Sequence, residues 1–312
     1  MENIKISLAG HIFTTLSFLG LGAYVSLHRR ELRRTTRRSS FLFYATFIVC
    51  CVFTGVNLFR VVFEITGGHE SIFTATLDLV AHYSSVLVQS ALILLLFTYK
   101  IVAQPTGCVG RVLAIGAHPD DIEIAAGAAL AKMRDAGYSI SGLVLTHGEK
   151  GGHEAVRPGE AKCGAEFLGL NEVQVLDFTD AQLAKDMVGL VEAIEAMIAK
   201  VQPDIIFTHS LHDLHQDHQA VYEATMRAAR ATRTTILCYE SPSVTQDFHP
   251  NYFVDVGKYV DVKVEAIREH WDQHNKPYLQ PEQVRGKMAF RGGQAKMNYA
   301  EGFEVARMVA AI

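Results

Sequence analysis

The chain has 312 residues, 49% of them hydrophobic and 20% charged, with a formal net charge of −4. A balance this close to neutral argues against nucleic acid as a partner. Five cysteines without a C-x-x-C pair argue against both a thiolate zinc site and a disulfide framework. The averages conceal a division. Residues 1–105 are mostly apolar with clustered charges, and residues 106–312 have the pattern of a soluble α/β domain.

Taken in chain order, three apolar stretches come first, at about residues 4–27, 41–66 and 77–103. Each reaches the roughly 20 residues needed to cross a bilayer core, so three transmembrane helices are expected. The first lacks a basic n-region and its arginines follow it, which reads as a retained anchor rather than a signal peptide. Residues 28–38 hold six arginines, whereas residues 67–78 hold no Lys or Arg. The positive-inside rule then places 28–38 in the cytoplasm, 67–78 outside and the C-terminal part in the cytoplasm of a multi-pass cell-membrane protein. His11, Asn57, Arg60, Glu64 and His82 fall within the spans. They read as interhelical hydrogen-bonding groups, with an Arg60–Glu64 pair at i, i+4. Residues 104–110, marked by Pro105 and Gly107, read as a short linker.

Beyond the linker, strands are expected at 111–117, 141–146, 172–177, 204–208 and 235–239. Helices are expected at 124–136, 157–168, 185–200 and 218–231. This alternation predicts an α/β fold, a Rossmann-like and mostly parallel sheet flanked by helices. Ligands of such sheets sit beyond the C-terminal strand ends, and two motifs fall there.

The first is Ala117-His118-Pro119-Asp120-Asp121, after the first strand. Pro119 biases His118 towards an extended conformation, so the strand is expected to persist to the histidine. His118 and Asp121 can converge across the following turn, leaving Asp120 free. The second is Asp213-Leu214-His215-Gln216-Asp217-His218, after the fourth strand, with Asp217 a candidate N-cap. A His₂Asp set leaves a coordination position open, as catalytic zinc sites do. Zinc suits these ligand types, and Fe²⁺ would also suit them. His209 and His212 are alternative ligands, and Lys263 reads as a surface helix residue.

With Thr146-His-Gly-Glu-Lys-Gly-Gly152 between them, these motifs resemble the PIG-L (LmbE-like) deacetylases over residues 111–309. The segments 249–255 and 299–303 support the resemblance. It implies a Rossmann-like fold and hydrolysis of N-acetyl groups on GlcNAc-type sugars. It further implies zinc held by His118, Asp121 and His218, with Asp120 as general base and a protonated His215 stabilising the developing oxyanion. Asp217 would orient a neighbouring imidazole, and Arg157 would contact the substrate. Ile122 and Glu123 depart from the commoner Glu directly after the second Asp, and His270-Trp-Asp-Gln273 from the commoner His-x-Ser-Gln. The expected substrate is an acetylated amino sugar; the membrane spans add membrane lipid as a partner and leave two roles for the tether, meeting a lipid-linked form of that sugar or serving only localisation or complex assembly. The competing expectations are a zinc amidase acting on a non-sugar amide and a non-enzymatic membrane sugar sensor.

Overall fold

The computed structural model describes residues 8–36, 39–66, 72–100 and 109–309. Residues 104–108 of the linker with Cys108, the boundary between residues 105 and 106, and residues 67–71 of the expected outer loop therefore lie outside the described residues. The chain divides into two units, residues 1–101 and 102–312.

The first unit is helical: α1 Leu8–Leu27, α2 Arg29–Thr35, α3 Ser39–Ile65 and α4 Ile72–Tyr99. α1, α3 and α4 are long and apolar enough to cross a membrane. Phe18, Cys50 and Leu92 form the buried core between them. Large apolar side chains such as Phe13, Phe59 and Leu94 face outwards, the pattern of helices that are apolar all round. The short α2 carries four of the six linker arginines.

The expected Arg60–Glu64 pair does not form. Arg60 points into the bundle, where Nε meets Asp78 Oδ1 at 2.7 Å and Nη1 donates to Asn57 at 3.0 Å. Asn57 in turn receives the Thr14 hydroxyl and donates to Ser85, each at 3.0 Å. Glu64 instead lies 3.5 Å from His11. Asp78, half-buried on the neighbouring helix α4, offers Arg60 both a carboxylate and its backbone carbonyl, at 2.7 and 2.8 Å.

The second unit runs β1 Arg111–Gly116, α5 Asp121–Asp135, β2 Ser139–Thr146, α6 Arg157–Leu168, β3 Glu172–Phe178, α7 Met187–Val201, β4 Ile205–Thr208, α8 Gln216–Ala228 and β5 Thr235–Tyr239. It continues with β6 Tyr252–Asp255, α9 Val260–Arg268, α10 Pro281–Gln294 and β7 Ala300–Arg307. Among the described residues, seven strands form one sheet in the order β3-β2-β1-β4-β5-β7-β6. The first five are parallel to one another, and β7 and β6 add antiparallel pairs at one side.

Alternation along the strands builds the layers. Leu113, Ile115, Leu143 and Leu145 pack with Leu190 and Ile194 of α7 and with Val221 and Ala224 of α8. The opposite face carries α5, α6 and α9, which pack on one another. Strand order departs from β1 in both directions, towards β2 on one side and β4 on the other. The loops after β1 and β4 therefore flank the switch point where doubly wound sheets bind ligands. Both motifs lie on those two loops.

Candidate active site

β1 ends at Gly116, two residues short of His118, so the strand does not persist to the histidine. A Cβ on Gly116 would lie 3.1 Å from the Asp121 Cβ and 3.2 Å from the His118 carbonyl. The chain turns that tightly because the residue at 116 has no side chain. α5 starts at Asp121, one turn earlier than expected, so Asp121 stands in its first turn and the His118 backbone N–H donates to Oδ2 at 2.7 Å.

In α8 the N-cap is His215, not Asp217: its Nδ1 accepts the Asp217 N–H at 3.2 Å. Asp217 lies within the helix and is fully buried. Its carboxylate accepts the backbone N–H groups of Ala181 at 2.6 Å and Leu183 at 3.1 Å.

The two loops converge. His118 Nδ1 faces His218 Nε2 at 3.3 Å. Asp121 places Oδ2 3.4 Å from His118 Nδ1 and Oδ1 3.5 Å from His218 Nε2. Ligand atoms on a tetrahedral metal with bonds of about 2.0–2.2 Å lie about 3.3–3.6 Å apart, so this spacing fits a divalent ion at their centre. Two ring nitrogens aimed at each other so closely need a shared cation, a proton or a metal.

Two further trios of His and Asp are as closely grouped among the described residues, His118–His215–Asp217 and His209–Asp213–His218. Each uses a group already occupied. Asp217 is taken by two backbone donors. His209 Nε2 receives the Ala117 N–H at 3.0 Å, and Asp213 accepts from His218 Nδ1 at 2.8 Å, from the His215 N–H and from the hydroxyls of Ser241 and Ser243. His212 turns away to Glu304 at 2.9 Å.

The electrostatics follow from this clustering. Burial opposes charge on His118, but the carboxylates of Asp121, Asp180 and Asp217 outweigh it and hold its pKa well above the usual value. Burial likewise opposes charge on His218, and Asp121 and Asp213 overcome it, raising the group to about 9. Asp121 is held well below the usual carboxylate range: burial works against this, but His218, His209 and His118 prevail. Burial and the charge of His218 push fully buried His209 down to about 4. Burial, then His218 and His118, lower His215. A neutral His215 whose Nδ1 accepts a backbone N–H carries its proton on Nε2.

Asp120 diverges from the cluster. Its Oδ1 accepts from Arg157 Nη2 at 2.9 Å, while Arg157 Nη1 donates to the Gly148 carbonyl at 2.5 Å. Arg157 is only 3% exposed. Its guanidinium holds the protein's own carboxylate and backbone carbonyl in place.

Lys263 is buried rather than on the surface. It pairs with Glu301, whose carboxylate also accepts the N–H groups of Ala128 and Ala129, so it ties α9, β7 and α5 together. Glu123 and His270 are buried 3.3 Å apart beneath Gly164, where a Cβ would strike Glu123 at 2.6 Å.

Three residues near the cluster carry no role from the sequence. Asp213 orients His218, Asp180 Oδ1 lies 3.1 Å from His118 Nε2, and the Tyr278 phenol feels the charges of Asp120 and Asp121. Burial and the charges of Asp120 and Asp121 push the Tyr278 phenol up to about 12.

The fold and the converged loops define a Rossmann-like α/β protein with a His₂Asp cluster at its switch point. The family profile described as PIG-L, GlcNAc-PI de-N-acetylase, matches residues 113–229. The uncharacterized deacetylase YaiS of Escherichia coli (strain K12) is 37% identical over 166 residues, covering 51% of this chain and 89% of its own. The diacetylchitobiose deacetylase of Thermococcus kodakarensis is 30% identical over 230 residues, covering 64% and 84%. Among solved structures, GalB, the 4-carboxy-2-hydroxymuconate hydratase of Pseudomonas putida KT2440, has a TM-score of 0.58 at 24% identity, covering 65% of this chain and 99% of that one. That last likeness shows the fold alone. The chain belongs to the PIG-L (LmbE-like) deacetylase family.

Proposed function

We propose that the chain is a membrane-anchored, zinc-dependent deacetylase that removes the N-acetyl group from an N-acetylglucosamine-type sugar, lipid-linked and presented at the cytoplasmic leaflet. The observation that carries the catalytic part is the convergence of His118, Asp121 and His218 at ligand spacing beside a carboxylate that does not join them. The three apolar helices and the arginines of α2 support the membrane part.

His118, Asp121 and His218 would hold the ion, which supplies Lewis acidity towards the amide carbonyl when bound. Asp120, fixed through Oδ1 by Arg157, keeps Oδ2 for the attacking water and takes its proton as general base. It then delivers that proton to the departing amine, so that acetate and a free amino sugar result. His215 donates Nε2–H to the developing oxyanion, and the neutral ring suffices for this.

The deciding experiment measures acetate release and bound metal on the purified full chain, with N-acetylglucosaminyl substrates set against simple acetamides. Asp120→Ala is expected to abolish turnover and retain zinc. Loss of zinc in that variant would make Asp120 a ligand and sink the assigned roles. Cleavage of acetamides in preference to sugars would favour the non-sugar amidase. Because the fold also carries a hydratase, released acetate rather than bound zinc decides the reaction class.

A further inference from the structure

We propose that Asp180, outside both motifs, is the residue that positions His118 to receive the metal; this rests on the zinc reading above. An imidazole that ligates through one nitrogen donates its other N–H to a carboxylate or carbonyl, which fixes tautomer and ring orientation. His218 receives this from Asp213 of its own loop, Nδ1 to Oδ2 at 2.8 Å. No carboxylate of the first motif serves His118 in that way. Asp120 is paired with Arg157, and Asp121 faces the ligand cluster through Nδ1 of His118. On the other side of the ring, Nε2 lies 3.1 Å from Asp180 Oδ1 and 3.4 Å from Asp217 Oδ2. Asp217 spends both oxygens on backbone N–H groups, so Asp180 is the acceptor.

Local backbone geometry supports the assignment. Asp180 is buried on the turn after β3, and Ala181 next to it has φ +63°, a region that residues with a Cβ seldom occupy. Asp217 pins that turn by accepting the N–H groups of Ala181 and Leu183. The carboxylate expected to orient an imidazole directly thus builds the turn that carries Asp180. From a third side, Asp180 Oδ2 accepts the Lys150 N–H at 2.8 Å, and the Asp180 N–H donates to Glu149 at 2.9 Å. The glycine-bearing loop after β2 and the turn after β3 therefore meet the loop after β1 at this one carboxylate. Backbone strain next to a buried, fully engaged acid is where a positioning device is expected.

The test is the zinc affinity of the full chain in detergent, measured by competition with a chelator. Asp180→Asn keeps the shape and removes the carboxylate, and it is expected to bind zinc about 10–100-fold more weakly. Wild-type affinity in folded Asp180→Asn would overturn the proposal while leaving the deacetylase reading intact. If Asp180→Asn does not fold, a zinc-loaded structure of the wild-type chain decides. An ion on His118 Nδ1 with Asp180 on Nε2 supports the assignment, and an ion on Nε2 overturns it. A wild-type chain that binds no zinc overturns the functional reading itself and this inference with it.

Discussion

At the scale of single residues, His218 shows how the site stores charge. Its pKa is raised from the ordinary 6.5 to about 9, against the effect of burial, by Asp121 and Asp213. In the metal-free protein this contributes stability that is fully present below about pH 6.5 and is lost as pH rises through 9. Zinc requires the neutral ring, so its binding displaces that proton and should tighten as pH rises over the same window. The expected result is a falling unfolding midpoint for chelated protein between pH 7 and 10, with zinc affinity rising between pH 7 and 9. Calorimetry and chelator competition measure the two, and a pH-independent zinc affinity would contradict the assignment of His218. The convergence of His118, Asp121 and His218 was legible from the sequence because both motifs fall at strand ends. Asp180 and Tyr278 were not, because no local spacing marks a side chain that reaches the site from another loop. The burial of Lys263 was not legible for the same reason: Glu301, the buried carboxylate that takes its charge, is contributed by a distant segment.

At the scale of elements, helix and strand signals were most readable where punctuation was strong. α6 and β5 occupy the expected bounds, and Gly169 ends α6 in the left-handed region at φ +80°. α5 begins earlier than expected because Asp120 and Asp121 can occupy a helix start that the apolar pattern does not reveal. β6 and β7 have no parallel-strand signature, since their antiparallel pairing depends on partners roughly 50 residues away. The loop between β2 and α6 is the element through which geometry acts on Asp120, the proposed general base. Gly148 has φ +68°, and a Cβ there would lie 2.1 Å from Arg157 Nη1. Gly148→Ala is therefore expected to displace the guanidinium and release Asp120, and the same Cβ would press on Pro119 Cδ at 2.9 Å, between His118 and Asp120. We expect at least a ~10-fold fall in kcat that exceeds any loss of bound zinc, as a misplacement of about 1 Å costs up to 10²-fold. Steady-state kinetics with metal analysis would check this, and full activity would show that Asp120 does not depend on Arg157.

At the scale of the whole molecule, two units share one chain, one of them with three helices long and apolar enough to cross a membrane. The second unit closes its own core between the sheet and α7 and α8, and both His/Asp motifs lie within it. What those helices would add is local concentration. A domain tethered to the bilayer meets a lipid-borne sugar at an effective concentration far above that of the same domain in solution, a gain of about 10²–10⁴ where the geometry allows both contacts. Expressed alone, residues 106–312 should fold, bind zinc and deacetylate a water-soluble N-acetylglucosaminide at close to the full-length rate. On a lipid-linked N-acetylglucosaminyl substrate in vesicles, the same fragment should fall behind the full chain by about 10²-fold or more. Acetate release from the two substrates, compared for fragment and full chain at matched zinc occupancy, separates the readings. Equal loss on both substrates would mean that the helices support the fold of the catalytic unit. Equal retention on both would leave them the role of an address, and the lipid-linked substrate would have to be abandoned.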